Sequence, residues 1–342
     1  MKKIAIEEHF STEEQINLLQ KIMTNTYPVP GVVEEEEYVK YEAGWARSPL
    51  DGTERGSIVK RTLLDIGEGR IKEMDKTGID MQVLSLVSPG VQMLDAAAGT
   101  ALARNVNDHL AAAVKKHPDR FQGLAAIAPQ DPQAAAMELE RAVTKLGLKG
   151  TSINSHVKGE YLDDKKFWPI FEVAAKLKAP IYIHPRVPSG GMLAPYVGYP
   201  GLASASCGFA AEVGLHSLRL ICSGVFDKYP NLKIIIGHMG EALPYWLWRI
   251  DNRLMKTPGT RDWPKPPSQY FKDNFLITTS GMFSLPPLIC AYMTLGADNI
   301  LFAVDYPMEF NEEAVPFIEA APISDGDKEK ICHLNAEKYL KL

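Results

Sequence analysis

Short, mostly apolar runs recur along the chain at residues 3–8, 81–87, 121–128, 148–154, 180–184, 233–237, 275–280 and 300–305. Runs such as KIAIEEHF, PIYIHP and KIIIGH are brief, rich in β-branched residues and show no alternation with polar ones. That is the pattern of strands buried on both faces, as in a parallel sheet. Between them lie segments whose apolar residues return every three or four positions, including RIKEMDKTGI, GTALARNVNDHLAAAVKKH, DPQAAAMELERAVTKLG and KKFWPIFEVAAKLK, which predict amphipathic helices. Eight strands alternating with helices predict an α/β fold, a (β/α)8 TIM barrel rather than an open doubly wound sheet, in one domain over residues 1–342. Residues 20 to 60 interrupt the alternation with Pro28, Pro30, the run Glu34 to Glu37 and the turn DGTERG. They read as an insertion after the first strand, long enough to cap the barrel mouth or reach a neighbouring subunit, with the glutamates as a solvated surface. The tail DGDKEKICHLNAEKYLKL predicts a closing helix.

Composition narrows the function more than the fold. The 342 residues are 46% apolar and carry a formal charge of −5 without a charged tail, which argues against nucleic acid or an anionic membrane as partner. No run of about eighteen apolar residues predicts a membrane span, and the start MKKIAIEEHF lacks the apolar stretch of a signal peptide, so a cytoplasmic location is expected. Cys207, Cys222, Cys290 and Cys332 are scattered and form no CxxC pair, as expected of reduced, buried packing thiols. No GxGxxG follows the first strand and no GxxxxGK[ST] occurs, which removes the main support for dinucleotide or P-loop chemistry.

The chemistry lies at the strand ends. Glu7-Glu8-His9, His184, His238 and Asp305 all fall at the carboxyl ends of apolar runs, where a parallel barrel places its ligands. His156 also follows a strand, whereas His109, His117, His216 and His333 fall in helical segments and read as surface or packing residues. Imidazole and carboxylate suit Zn²⁺ or Mn²⁺, and a catalytic site leaves a position open for substrate or water. Glu7 and His9 are two residues apart on a strand, so both can face the barrel axis while Glu8 faces outward in a structural role, paired with a helix. No lysine ends the fourth strand to bridge two ions, since GTSINSH offers Asn154 and His156 there, and one metal is the simpler count. His238 and Glu241 are spaced to share a hydrogen bond one helical turn apart, and the glutamate would also suit a helix N-terminus. Arginine pairs bidentately with carboxylate, so Arg249, Arg61 and Arg186 are candidates for recognising an acidic substrate.

These motifs, from IEEHF through LDIGEGRIKEMDKTGID, INSHVKGEYLDD, YIHP, GHMGEALPYW and TTSG to AVDYP, resemble the amidohydrolase superfamily along the whole chain. Within it they resemble the metal-dependent nonoxidative decarboxylases of hydroxybenzoates, because the chain opens with the ExH form, Glu7-Glu8-His9, instead of HxH. The resemblance implies that Glu7, His9, His184 and Asp305 hold one divalent ion, Mn²⁺ or Zn²⁺. It implies that Asp305 also delivers a proton, that His238 and Glu241 stand beside the substrate, that Arg249 lies near it and that Arg61 reaches across a subunit interface. A small aromatic carboxylate, an ortho-hydroxybenzoate of the 5-carboxyvanillate or dihydroxybenzoate kind, would be the substrate and a homodimer or homotetramer the active form. Val87, before Ser88-Pro89, stands where close relatives can carry a polar residue, which bears on the ring substituents accepted. A metal-dependent hydrolase such as a lactonase is the alternative on the same scaffold.

Overall fold

The structure is a computed structural model and describes residues 1–23, 53–196, 198–258 and 261–342. Among the described residues nine strand segments follow one another: β1 (Ile4–Phe10), β2 (Met81–Leu86), β3 (Phe121–Gly123), β4 (Ala125–Ala126), β5 (Thr151–Asn154), β6 (Ile181–His184), β7 (Ile234–Ile236), β8 (Phe275–Thr278) and β9 (Ile300–Leu301). All pair in parallel with their sequence neighbours, in two runs, β1 to β3 and β4 to β9. β3 and β4 are halves of the single strand expected at 121–128, interrupted at Leu124, whose amide instead reaches Leu84 O at 2.9 Å. The ring closes between the first and last strands, where the Asp305 amide donates to Glu7 O at 2.9 Å and the His9 amide to Tyr306 O at 2.7 Å. The eight-stranded barrel expected from the apolar periodicity is therefore present, with its third strand split.

Alternation along each strand divides its side chains between two cores. Ile4, Ile6, Tyr182, Ile235 and Leu276 fill the barrel interior, together with Ala336 and Leu340 from the C-terminal helical segment. Ala5, Ile181, Ile183, Ile234 and Ile236 face the other way and pack on the helices. Each fully buried Ile or Leu of this kind contributes about 1.5–3 kcal/mol over its exposed state. The helices that follow the strands include α1 (Glu13–Met23), α2 (Glu54–Leu64), α3 (Glu68–Thr77), α4 (Ala96–Lys116), α5 (Pro132–Thr144), α6 (Trp168–Leu177), α7 (Gly208–Ser223) and α8 (Leu243–Leu254). Their starts follow local chemistry: Asp95 accepts from Ala98 N at 2.7 Å and Asp131 from Ala134 N at 3.0 Å, with Pro132 just inside the second helix.

The expected insertion at 20–60 falls mostly on residues 24–52, which lie outside the described residues, as does the run Glu34 to Glu37. Its last part is α2. The cysteines correct one expectation, since Cys207 and Cys222 are exposed and only Cys332 is fully buried. Cys207 stands at the start of α7 rather than on its inward face, which spacing alone does not distinguish. No helix among the described residues is long and apolar enough to cross a membrane.

Candidate metal centre and active site

A register shift between Ala5 and Glu8 puts one extra residue into β1, a bulge of the kind that re-aims side chains near sites. Glu7 sits in it. One of its carboxylate oxygens, Oε2, accepts from Thr278 Oγ1 at 3.0 Å and from the hydroxyls of Tyr182 and Ser280. The other, Oε1, is buried without a hydrogen-bond partner. Three hydroxyls thus fix the orientation of the carboxylate while one oxygen is left for something else. Gly237 is required beside it, because a Cβ there would come within 2.9 Å of Glu7 Oε2.

The two imidazoles at the next positions are turned in the same way. His9 pairs in register with Ser85, whose Oγ lies 3.3 Å from His9 Nδ1, and Asn154 pairs with His184, its Oδ1 3.0 Å from His184 Nδ1. With each Nδ1 engaged by the adjacent strand, both Nε2 atoms face the barrel axis, the arrangement that outer partners give to metal-binding histidines. Burial, followed by the nearby His9, pushes the His184 imidazole well below its ordinary pKa and favours its neutral form, the form that ligates a metal. Asp305 completes the group from beyond β9. Its Oδ1 lies 2.9 Å from His9 Nε2, yet both atoms are buried without a hydrogen-bond partner. His184 Nε2 is 3.6 Å from Glu7 Oε1.

One ligand atom each from Glu7, His9, His184 and Asp305 lies within 4.8 Å of the others. Buried polar atoms cost about 1–3 kcal/mol when left unpaired, and three of these atoms are unpaired toward one another. A divalent cation bound by two imidazoles and two carboxylates would satisfy them all, and the donor set suits Mn²⁺ or Zn²⁺. The residues present therefore fit one metal ion.

His238 follows β7 on an unusual turn. His238, Met239, Gly240, Glu241 and Ala242 all have positive φ, so the segment winds left-handed before α8 begins at Leu243. The sequence pattern placed Glu241 one turn along an ordinary helix; the expected proximity to His238 is present, but the turn has the opposite hand. Such backbone costs about 1–2 kcal/mol per non-glycine residue and concentrates at functional sites. His238 Nδ1 meets Glu241 Oε1 at 2.7 Å, and its Nε2 lies 3.7 Å from Asp305 Oδ2 and 3.8 Å from Glu7 Oε1. Burial alone would lower the His238 pKa, but Glu241 and Glu7 outweigh it and raise it well above the ordinary histidine value. For Asp305, burial alone would raise the carboxyl, but His238 and His9 outweigh it and hold it below the usual carboxylate range.

Above these groups opens a cavity of about 250 Å³ lined by His9, His184, His238 and Asp305 at its base. Its walls are mostly apolar: Leu19, Val59, Leu63, Val87, Pro89, Val187, Phe209 and Met308, with Arg55 and Glu309 as charged groups. Val87, singled out from the sequence, is in this wall. Glu241 stands behind His238 and does not line the cavity. Arg61 and Arg249 are exposed on α2 and α8 and do not line it either. Arg186 is fully buried and donates to His156 O at 3.2 Å, and His156 is itself held by Val187 O and Gly159 N, away from the cavity. Arg55, Tyr182, Thr278, Ser280 and Glu309 escaped the sequence reading. The run TTSG at the end of β8 carries the signal for two of them, whereas Arg55 looks in sequence like any exposed helix arginine.

A family model described as amidohydrolase matches residues 38–342. The γ-resorcylate decarboxylase of a Polaromonas species is 40% identical over 352 aligned residues, covering 99% of this chain and 98% of that one. A variant of the 5-carboxyvanillate decarboxylase of Novosphingobium aromaticivorans, solved with manganese and 3-methoxy-4-hydroxy-5-nitrobenzoic acid, superposes with a TM-score of 0.92 at 39% identity, covering 100% of this chain and 97% of that one. The dihydroxybenzoic acid decarboxylase of Polaromonas with bound manganese and 2-nitroresorcinol gives a TM-score of 0.84 at 39% identity, with coverage of 100% and 97%.

Proposed function

We propose, from the premise that the chain belongs to the amidohydrolase family, that it is a carboxy-lyase removing CO₂ from an ortho-hydroxybenzoate without oxidation. The observation that carries this reading is the division of Asp305: Oδ1 faces the unpaired ligand atoms, and Oδ2 faces His238 at the base of an apolar cavity. A ligand set that only held an ion would not need a carboxylate oxygen turned toward substrate. Glu7, His9, His184 and Asp305 would hold the ion, Mn²⁺ in keeping with the relatives solved with it. When bound, the ion would supply Lewis-acid chemistry, lowering the pKa of the substrate phenol and neutralising charge beside it.

The protein's own groups supply the rest. Aliphatic walls from Val59, Leu63 and Val87 hold the ring flat over the base. Asp305, ionised at rest, takes the phenol proton as the substrate binds and delivers it to the ring carbon that bears the carboxylate. That carbon becomes tetrahedral, the bond to the carboxylate breaks, CO₂ leaves, and the bonding pair returns to the ring and phenolate oxygen, which is then protonated by solvent. His238, kept cationic by Glu241, stabilises the substrate oxygen on which charge gathers. The walls also exclude water from the dearomatised ring. Arg55 in the cavity lining, and Arg61 and Arg249 from outside it, are the candidates for a second anionic substituent. Four cysteines without a disulfide are in keeping with a cytoplasmic workplace, and exposed aromatic residues on α8 are in keeping with a homodimer or homotetramer.

A panel of ortho-hydroxybenzoates tests the reaction. Purified protein should hold about one divalent ion per chain, release CO₂ from at least one member, and place one solvent deuterium on the product ring carbon. Chelation should abolish the activity and added Mn²⁺ restore it. Undiminished turnover by metal-free protein, or solvent ¹⁸O in the organic product without CO₂, would overturn the reading.

A further inference from the structure

Glu8, between two proposed metal ligands, is completely buried on the outer side of β1. Its Oε1 accepts the amide of Val304 at 2.8 Å, and its Oε2 accepts the amide of Tyr306 at 3.2 Å and Gln82 Nε2 at 3.4 Å. Val304 and Tyr306 flank Asp305, whose φ of 78° lies in the left-handed region that a non-glycine residue rarely occupies. The ladder of β9 has already ended at Leu301, and beyond it an isolated parallel bridge joins Glu8 to Tyr306, so the side-chain oxygens of Glu8 add acceptors for the Val304 and Tyr306 amides where the pairing has become irregular. The carboxylate reinforces this irregular closure from the side.

Further contacts tie the same seam together. The Asp305 amide donates to Glu7 O at 2.9 Å, and the His9 amide donates to Tyr306 O at 2.7 Å. Arg70, fully buried on α3, donates to His9 O at 2.7 Å and to Thr62 O at 2.9 Å, approaches Gln82 Oε1 at 3.4 Å, and lies 5.1 Å from the Tyr306 ring centre. The guanidinium thus compensates the buried carboxylate while gripping the strand on one side and the Asp305 loop on the other. A hydrophobic pair of similar volume would cost less to bury. It would leave the two amides unpaired and the Asp305 turn without a brace.

We propose that Glu8 is the positioning residue for Asp305: its two oxygens fix the amides on either side of that residue, and so hold one Asp305 oxygen at the metal group and the other toward substrate. This rests on the reading of Asp305 as ligand and proton donor, and it goes beyond the purely structural part expected of Glu8 in the sequence. The distinction is whether loss of Glu8 is felt in folding alone or in the ion and the turnover.

Glu8→Gln keeps the shape but replaces one acceptor oxygen with a carboxamide NH₂, which donates and cannot accept from a backbone amide. In folded Glu8→Gln protein, stripped of metal and titrated with Mn²⁺ by electron paramagnetic resonance, the dissociation constant should rise by about tenfold or more, the scale of lost outer partners. The kcat should fall by about the same factor, with KM changed less than about twofold, because the walls that bind the ring are untouched. The Mn²⁺ effect should largely disappear in an Asp305→Ala background, where the ligand that Glu8 positions is gone. A folded Glu8→Gln protein with the parent Mn²⁺ affinity, or an equal loss of affinity with and without Asp305, would overturn the proposal. If Glu8→Gln does not fold, Gln82→Met removes one of the contacts on Oε2 and should weaken Mn²⁺ by about threefold, the worth of one modest hydrogen bond; parent affinity in that variant would equally overturn it. If the parent releases no CO₂ from any hydroxybenzoate, the decarboxylase reading fails, while the Mn²⁺ comparison still decides the link between Glu8 and Asp305.

Discussion

Asp305 presents its two oxygens to different neighbours, so substitution can separate what each does. Asp305→Asn keeps the size and one oxygen for the ion but removes the acid, so metal content should survive at least in part. Decarboxylation should fall by roughly 10² or more, the scale of general acid catalysis. His184→Ala, by contrast, should lose metal and activity together, because its Nε2 is turned toward the Glu7 carboxylate, 3.6 Å from Oε1, in the candidate metal group. Metal analysis and deuterium incorporation on the same samples distinguish the two. If Asp305→Asn with metal bound still placed solvent deuterium on the product ring at the parent rate, another group would be the donor, and His238, 3.7 Å from Asp305 Oδ2, is the next to test. At this scale the four residues that the fold brings together, Glu7, His9, His184 and Asp305, were legible because each follows an apolar run and differs sharply from it in chemistry. The braces behind them were less so. Tyr182 looks like any barrel-interior aromatic until its hydroxyl is seen on Glu7, and Glu8 meets Val304 and Tyr306 only because the barrel closes on itself.

Among the elements, α7 is joined to the loops after β5 and β6 by a buried polar chain. His216 Nε2 accepts from Leu162 N at 3.1 Å, which leaves Nδ1 to donate to Ser155 Oγ at 3.1 Å; that hydroxyl donates to Glu212 Oε1 at 3.0 Å, and Tyr161 donates to Glu212 Oε2 at 3.0 Å. Burial, helped by Arg219, pulls the His216 pKa down to about 3, and burial, helped by Arg186, pulls that of His156 to about 2. Unfolded histidine takes up its proton near pH 6.5, so between there and these lowered values the unfolded chain binds more protons than the folded one. Each such histidine therefore removes stability as pH falls below about 6.5, by an amount that approaches about 1.4 kcal/mol per pH unit once the unfolded histidine is fully protonated. The comparison is best made by urea midpoints between pH 5.5 and 4.5, where His216→Gln should lessen the loss of stability per pH unit by about that amount whatever it does to stability at pH 8. An unchanged slope would mean that His216 is already protonated in the fold. The sequence put His216 rightly in a helix, away from the candidate metal group, yet could not show that it ties α7 to the loop after β5. The same limit hid the break at Leu124, the bulge at Glu7 and the left-handed turn from His238 to Ala242, because apolar periodicity reports which residues face a core and not the hand or register of the backbone between them.

For the whole molecule, the outward face of α8 is not that of an ordinary surface helix. Leu243 and Leu247 turn inward, while Tyr245, Trp246 and Trp248 are 78%, 53% and 74% exposed, and Arg249 is exposed beside them. Helical spacing sets Tyr245 with Trp248 and Arg249, and Trp246 with Arg249, so these side chains form one patch rather than scattered singles. Tryptophan, tyrosine and arginine are the residues that dominate the centres of protein interfaces, and a monomer gains nothing by leaving such surface in water. The expected occupant is a second copy of the chain, in keeping with the assembly expected from the sequence. Light scattering at the concentrations used for turnover should therefore give at least a dimer. Trp248→Glu puts a charge into the patch and should shift the protein toward monomer without unfolding it, since Trp248 contributes little to the barrel core. The activity of that monomer then tells whether Arg249 or Arg61 acts across the contact: if either does, KM for the substrate should rise by about tenfold or more, the loss of one charged hydrogen-bonded contact, while metal content stays at the parent level. A parent protein that is monomeric and fully active under turnover conditions would refute the assembly and leave the aromatic face of α8 to another partner.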